Sequence, residues 1–360
     1  MTGKLIETMR SQAGELGSPA LDLDSIVHEG DRRTRRRRLA VVAVGVVGAV
    51  VLGGAAVRLV DPGDPEGQVA DGTTQRPHEL SYATGSRIHV GDTDLDAGRP
   101  IRAYVETDAG YVFSSTDLGV YTLIDGETAR VGTLTKPVDD VPELVADGSR
   151  VGWLDADDLY KVRDLATGEV VETPANHEGV RGSAVSASIT ALDGATAYLF
   201  DGRGPVAWDL ESGAVNPRGP ADSRRVVDAE DGVLLVEGEP SDAVITSTGS
   251  VPVQIDDFAN LSPDGHYATT SRDDTGFLID ARTGERLPFD HGHDWAIGYQ
   301  WLTDGTFAAM VFDHEGDGWG KPALLTCAAA TGACETTVRQ LPAELGEFQL
   351  PIGVAFVTEG

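Results

Sequence analysis

The segment LSPDGHYATTSRDDTGFLIDARTGERLPF, Leu261 to Phe289, predicts a turn, a strand, a second turn and further strands in that order. Asp264-Gly265 is typical of a hairpin, because glycine accepts the positive φ that such turns require. Thr283-Gly284 marks another turn before a short last strand. Apolar residues alternate between the turns and show no helical periodicity, so the segment predicts a small antiparallel sheet.

Copies of this pattern begin at Glu106, Leu144 and Ile189. Their spacing of roughly 35–45 residues is typical of solenoids and propellers. One small sheet cannot bury both of its faces, so the copies must pack side by side. The sequence therefore predicts an all-β domain of repeated four-stranded sheets.

Two motifs resemble the blades of bacterial WD-repeat-like and quinoprotein-like β-propellers. They are SPDG, Ser262–Gly265, and LIDARTGE, Leu278–Glu285. The resemblance covers residues 78–358 and concerns the fold alone, because the Trp-Asp pair of WD repeats occurs once, at Trp208-Asp209. It implies a β-propeller.

Six blades can be traced along the chain: 102–137, 139–175, 182–219, 222–256, 258–290 and 292–341. A seventh would combine Glu79–Val90 with a C-terminal strand around Gly353–Val357. Closing the ring with both ends of the chain removes exposed sheet edges. We therefore predict about seven four-stranded blades. Six or eight blades stay open, because the copy at 222–256 is irregular.

A basic cluster directly precedes an uncharged apolar run. The cluster consists of Arg32, Arg33, Arg35, Arg36, Arg37 and Arg38. The run LAVVAVGVVGAVVLGGAAV, Leu39 to Val57, would span about 30 Å as a helix, which is the thickness of the hydrocarbon core of a bilayer. Arginines on its N-terminal side should hold that end in the cytoplasm.

These features predict a single-pass protein of the cell membrane. It would have a cytoplasmic tail (1–38), a transmembrane α-helix (39–60), a linker (61–77) and an extracytoplasmic propeller (78–358). A cleaved signal peptide stays open as an alternative, since Gly54-Ala55-Ala56 resembles a cleavage site.

The tail and the apolar run also suggest partners. The tail resembles those of actinobacterial membrane proteins encoded near extracytoplasmic-function sigma factors, and this resemblance implies a cytoplasmic protein partner. A loosely helical stop sequence is the alternative. Gly45, Ala49 and Gly53 would share one helix face, and small residues at that spacing let two helices approach closely. A homodimer is therefore a second expectation.

The negative charge of the chain lies beyond the apolar run. The whole chain has a net charge of −30. Residues 1–60 hold nine basic and six acidic side chains, which leaves 19 and 52 in residues 61–360, a net charge of −33. Such a surface repels nucleic acid and anionic lipid, so the propeller is not expected to bind either of them.

The chain has two cysteines, Cys327 and Cys334. Thr331-Gly332 predicts a hairpin between them, and paired strands would bring the two thiols within disulfide reach. An exterior location permits the bond. Two free buried cysteines are the alternative.

Two short segments are candidates for metal binding. Asp313, Glu315 and Asp317 imitate the start of a calcium loop, although the closing glutamate is missing. His291 and His293 would share one face of a strand beside carboxylates, where they could bind a transition metal. A polar hairpin and a polar inter-blade loop are the alternative interpretations.

The sequence contains no GxSxG, no phosphate-binding glycine loop and no HExxH. We therefore assign no catalytic residue and no cofactor. The predicted function is a non-catalytic binding or sensing module with a protein or small-ligand partner. One alternative is a transmembrane regulator of a sigma factor. Another is a membrane-tethered hydrolase or lyase, for which several Asp, His or Arg side chains must meet at one channel mouth.

Overall fold

The computed structural model describes residues 78–136, 141–176, 187–217, 225–238, 241–255, 259–272, 275–315, 318–341 and 347–355. Within these ranges the chain forms 30 β-strands and no α-helix. The strands build seven four-stranded antiparallel blades of a β-propeller, and one short extra hairpin. The prediction of an all-β propeller with seven blades is confirmed.

The described part of the chain begins in the blade that closes the ring, which we number blade 7. Its N-terminal strands are β1 (Ser81–Thr84), β2 (Arg87–Val90) and β3 (Thr93–Asp96). Blade 1 follows with β4 (Ala103–Thr107), β5 (Gly110–Ser114), β6 (Gly119–Ile124) and β7 (Glu127–Thr133). Blade 2 contains β8 (Val145–Asp147), β9 (Arg150–Leu154), β10 (Leu159–Asp164) and β11 (Val170–Pro174).

Blades 3 to 5 repeat this order. Blade 3 contains β12 (Ser188–Asp193), β13 (Thr196–Asp201), β14 (Gly204–Asp209) and β15 (Val215–Pro217). Blade 4 contains β16 (Arg225–Glu230), β17 (Val233–Glu237), β18 (Ala243–Thr246) and β19 (Gly249–Pro252). Blade 5 contains β20 (Asn260–Leu261), β21 (Tyr267–Arg272), β22 (Thr275–Asp280) and β23 (Arg286–Leu287).

Blade 6 carries the extra hairpin between its second and third strands. Its four strands are β24 (Trp295–Thr303), β25 (Thr306–Phe312), β28 (Ala323–Ala328) and β29 (Cys334–Val338), and the hairpin is β26 (His314–Glu315) and β27 (Gly318–Trp319). The last strand of the described residues is β30 (Phe348–Gln349). In blades 1 to 6 the first strand lies innermost, because first strands of neighbouring blades contact each other.

The turns before the outermost strands explain the repeated Asp-x-x-Thr/Ser-Gly pattern. The aspartate that ends the third strand accepts hydrogen bonds from two backbone N–H groups of the following turn, over 2.8–3.2 Å. It occupies the same position in blades 2, 3 and 5, as Asp164, Asp209 and Asp280. Such Asx turns fix the chain reversal locally, so the repeat was visible in the sequence.

The core consists of seven hydrophobic clusters, one between each pair of neighbouring blades. Trp153 of blade 2 packs in a cluster with Val112 of blade 1, and Trp208 of blade 3 shares one with Tyr160 of blade 2. Each blade therefore buries both of its faces only because it has a neighbour on each side.

Blade 7 closes the ring with strands from both ends of the described chain. Strand β30 pairs antiparallel with β1, through Ala83 with Gln349 and Thr84 with Phe348. The predicted position of the closing strand, Gly353–Val357, is therefore wrong. Pro351 follows β30 closely and has no N–H to donate, which prevents its extension. Phe356 and Val357 lie outside the described residues.

Gly353 instead contacts the two blades that follow blade 7. Its N–H donates to the carbonyl of Tyr104 over 3.0 Å, and its carbonyl accepts from the N–H groups of Glu143 and Leu144, over 2.8 and 3.2 Å. Its φ of +70° is a conformation that glycine adopts without strain. The segment after β30 thus joins blade 7 to blades 1 and 2.

Candidate functional site

One end of the central channel is ringed by aspartates. In six blades an aspartate either ends the first strand or lies in the turn that follows it: Asp108, Asp147, Asp193, Asp231, Asp264 and Asp304. The first strands of these blades all run in the same direction along the channel, so the six turns lie at one end of it. We call it the inner-turn end.

Carboxylates near this end connect neighbouring blades. Asp147 Oδ2 of blade 2 accepts the N–H of Gly194 over 2.5 Å, and Asp193 Oδ2 of blade 3 accepts that of Gly232 over 3.1 Å. Asp228 Oδ2 of blade 4 accepts the N–H of Leu261 over 2.7 Å. Hydrogen bonds to ionised acceptors are stronger than neutral ones, so these contacts stabilise the ring.

Asp228 and Glu230, both on strand β16, have raised pKa values. Burial and the negative charges of Asp147 and Asp193 raise the pKa of Asp228 to about 6, although two backbone amides donate to its carboxylate. Burial also raises the pKa of Glu230 well above its usual range, and the charges of Asp228, Asp147, Asp193 and Asp231 add to this effect. Crowded carboxyl groups with raised pKa values are candidates for proton transfer or for binding a cation.

A second polar group lies between blades 6 and 1. Gln300 Nε2, on β24, donates to Glu106 Oε2, on β4, over 2.8 Å. His78 Nδ1 lies 3.2 Å from the same oxygen, and the N–H of His78 donates to the carbonyl of Leu302 over 3.0 Å. These residues lie near the turn ends of the two inner strands, and therefore belong to the inner-turn end.

The histidines proposed as metal ligands lie at the opposite end of blade 6. His293 Nδ1 is 3.0 Å from Asp313 Oδ2, and His291 Nδ1 accepts the N–H of His293 over 3.2 Å. Glu315 is exposed, and Asp317 lies outside the described residues. No group of three or more Asp, Glu, His or Cys side chains that could hold a metal ion occurs in the described part of the chain.

The predicted disulfide between Cys327 and Cys334 is confirmed. The two residues are opposite each other on β28 and β29, with their Cα atoms 4.1 Å apart. Cys327 is buried among apolar residues of blades 5 and 6, so the bond joins the core to the outer strand of blade 6.

The arginine cluster at 32–38 and the apolar run Leu39–Val57 lie outside the described residues. Among the residues that are described, no helix has the length and apolar character needed to cross a membrane. The predicted tail, helix and linker therefore stay predictions.

Sequence reasoning missed Glu106, Asp228, Glu230 and Gln300. The available signal was a polar side chain within an otherwise apolar inner strand, as in GYQWL around Gln300. The partners of such a residue could not be named, because Gln300 and Glu106 are 194 positions apart.

Comparisons with known proteins show no family for this chain. No family model and no curated protein matches the chain. Among solved structures, AztD from Citrobacter koseri is similar with 11% identity and a TM-score of 0.48, covering 75% of this chain and 96% of its own. BamB from Moraxella catarrhalis is similar with 15% identity and a TM-score of 0.39, covering 72% and 91%. Hsv2p from Kluyveromyces lactis is similar with 12% identity and a TM-score of 0.42, covering 64% and 75%.

Proposed function

We propose that this protein is a single-pass membrane protein that presents its β-propeller outside the cytoplasm as a non-catalytic binding or sensing module. The observation that carries the proposal is the six-arginine cluster directly before the apolar run Leu39–Val57. An apolar run of this length is long enough to cross a bilayer, and the arginines favour a cytoplasmic N-terminus.

Two features of the propeller support this proposal. The disulfide between Cys327 and Cys334 suits an oxidising exterior, because thiols in the cytosol are kept reduced. The inner-turn end brings together polar side chains from several blades, which is the arrangement that a binding surface requires.

Membrane anchoring can be tested by extraction of cell membranes with alkaline carbonate. We expect the full-length protein to stay in the membrane pellet. Val47→Asp with Val51→Asp places two charges in the apolar run, at about 3 kcal/mol each near the centre of the membrane, so this variant should be lost from the pellet. Release of the unchanged protein by carbonate would refute the anchor. An N-terminal sequence beginning after Ala56 would show a cleaved signal instead.

A membrane-tethered hydrolase or lyase is the second candidate function. The observation that favours it is the convergence of Asp147, Asp193, Asp228 and Glu230, with the pKa of Asp228 raised to about 6. A carboxyl group with such a pKa suits general acid catalysis near neutral pH. This candidate would be supported if the protein cleaves an envelope polysaccharide and if this activity is lost in Glu230→Gln and retained in Glu127→Gln. Equal rates in both variants would reject it.

Regulation of a sigma factor by residues 1–38 also stays a prediction. Crosslinking of the full-length protein in its native membrane, followed by mass spectrometry, tests it directly. Capture of a sigma factor on the tail would establish a signalling role. Capture of envelope proteins alone would leave the tail as part of an anchor.

A further inference from the structure

The hydrogen bond between Gln300 and Glu106 joins two blades that are not neighbours. Gln300 lies on the inner strand of blade 6 and Glu106 on that of blade 1, and blade 7 stands between them. Side chains of these two strands can meet only on the side of blade 7 that faces the central channel. Their amide and carboxylate are held side by side by the bond of 2.8 Å from Nε2 to Oε2.

The Gln300–Glu106 pair has a hydrogen-bond acceptor that receives no donor. Gln300 is 9% exposed, and its Oε1 atom is buried with no hydrogen-bond partner among the described residues. Glu106 Oε2 accepts the hydrogen bond from Gln300 and also contacts His78. A buried acceptor without a donor is rare in native proteins and calls for a group that supplies one.

The surroundings of the pair are negatively charged. Burial lowers the pKa of His78, but its hydrogen bond with Glu106 and the charges of Glu106 and Asp108 outweigh burial and raise it. Burial, with the charges of Glu106 and Glu79, also raises the pKa of Tyr111. Among the residues that the structure describes, His78 is the basic side chain within 4 Å of Glu106, and it carries a charge only when it is protonated. An anionic ligand would therefore be repelled, and a cation would be attracted.

We propose that the Gln300–Glu106 pair at the inner-turn end binds a primary ammonium group, from a free amine or from a lysine side chain of a polypeptide. The ammonium donates to Oε1 of Gln300, the buried acceptor that lacks a donor, and to the carboxylate of Glu106. This inference rests on the proposed function, since it names the ligand chemistry of the binding module.

The chemistry of the pair favours an ammonium over a metal ion. An ammonium offers three N–H donors, and it can bind to one amide oxygen and one carboxylate oxygen at the same time. A divalent metal ion requires several oxygen ligands around one point. No cluster of three or more such acidic, histidine or cysteine ligands occurs in the described ranges.

Isothermal titration calorimetry tests the proposal on the full-length protein in zwitterionic detergent. The buffer contains about 0.15 M NaCl, at which exposed charges are screened within about 8 Å. The probes are n-butylammonium chloride and the peptide acetyl-Ala-Lys-Ala-amide. The same peptide with an acetylated lysine Nζ is the control ligand. We expect saturable binding of one or both amines and none of the acetylated peptide. Binding of n-butylammonium alone would indicate a free amine, and stronger binding of the peptide would indicate a polypeptide partner.

Three variants separate this site from diffuse attraction. Glu106→Gln and Gln300→Met each should weaken binding at least tenfold. Glu127→Gln removes the same charge from the exposed outer strand of the same blade, and should change the affinity less than twofold. Melting curves of all variants verify folding.

Equal weakening in all three variants, equal binding of the acetylated peptide, or no saturable binding of either amine would overturn the proposal. Retention of the protein in carbonate-washed membranes would then still support the anchor, so the failure of this site and the failure of the proposed function are distinguishable.

Discussion

The substitution Gly353→Ala tests how the ring is closed beyond blade 7. A Cβ atom at this position would lie 1.8 Å from the carbonyl oxygen of Leu144. That oxygen belongs to the backbone, so Gly353 itself must move away. The move would break its hydrogen bonds with Tyr104, Glu143 and Leu144.

The expected loss can be worked out from two contributions. An alanine held at a φ of +70° costs about 1 kcal/mol relative to glycine. Loss of three backbone hydrogen bonds, at about 1 kcal/mol each, adds about 3 kcal/mol. Gly353→Ala should therefore lower the free energy of unfolding by about 4 kcal/mol, which is large for a single substitution.

Gly98→Ala is the matched control, because Gly98 has the same φ of +70° and a Cβ atom added to it would meet no other atom within 4 Å. It should cost only the backbone strain of about 1 kcal/mol. Urea unfolding followed by tryptophan fluorescence measures both variants. If the two variants lose the same stability, the contacts of Gly353 contribute nothing to ring closure and the reasoning is refuted.

Three further predictions concern covalent and titratable groups. Replacing Cys327 and Cys334 by alanine should lower the free energy of unfolding by about 2.5 kcal/mol, because the disulfide closes a loop with a sequence separation of 7 and so lowers the entropy of the unfolded chain. Wild-type protein in reductant should show the same loss. Unchanged unfolding of the variant would contradict this prediction. Asp228 binds its proton more tightly in the folded state, so its contribution to stability is present at low pH and is lost as the pH rises from 3.8 to about 6. The difference between a pKa of 3.8 and one of about 6 corresponds to about 3 kcal/mol. A pH series of urea unfolding should show this dependence flattened in Asp228→Asn. Because the pKa of His78 is raised in the folded state, His78 contributes stability that is complete below pH 6.5 and is lost as the pH rises through its folded-state pKa. His78→Asn should remove this pH dependence of the free energy of unfolding. Parallel curves of stability against pH for the variant and the wild type would contradict the prediction.

The blades could be predicted because their signals are local. Asp280 and Thr283 fix a turn within four residues of chain, and the same chemistry recurs in blades 2 and 3. Even the irregular copy that became β16 to β19 keeps its strands between glycine turns. A fold made of repeated local units can therefore be predicted from spacing and turn chemistry alone.

The closing strand and the polar pair could not be predicted, because both depend on distant contacts. The sequence pattern predicted the closing strand around Gly353–Val357. The strand lies instead at Phe348–Gln349, where it pairs with Ala83 and Thr84, and Gly353 packs against Leu144. Gln300 likewise looks like one polar residue in a buried strand. Its partner Glu106 is brought near only when the ring is complete.

Blade 7 also determines where the ring would open under mechanical load. Blades 1 to 6 are each continuous in the chain, whereas blade 7 is completed by the pairing of β30 with β1 at two register positions. A force applied between residue 78 and the C-terminal segment would act first on these few hydrogen bonds and on the contacts of Gly353. The ring would then open within blade 7, between β30 and β1, while blades 1 to 6 stay folded. Under load the propeller would therefore open at one defined position.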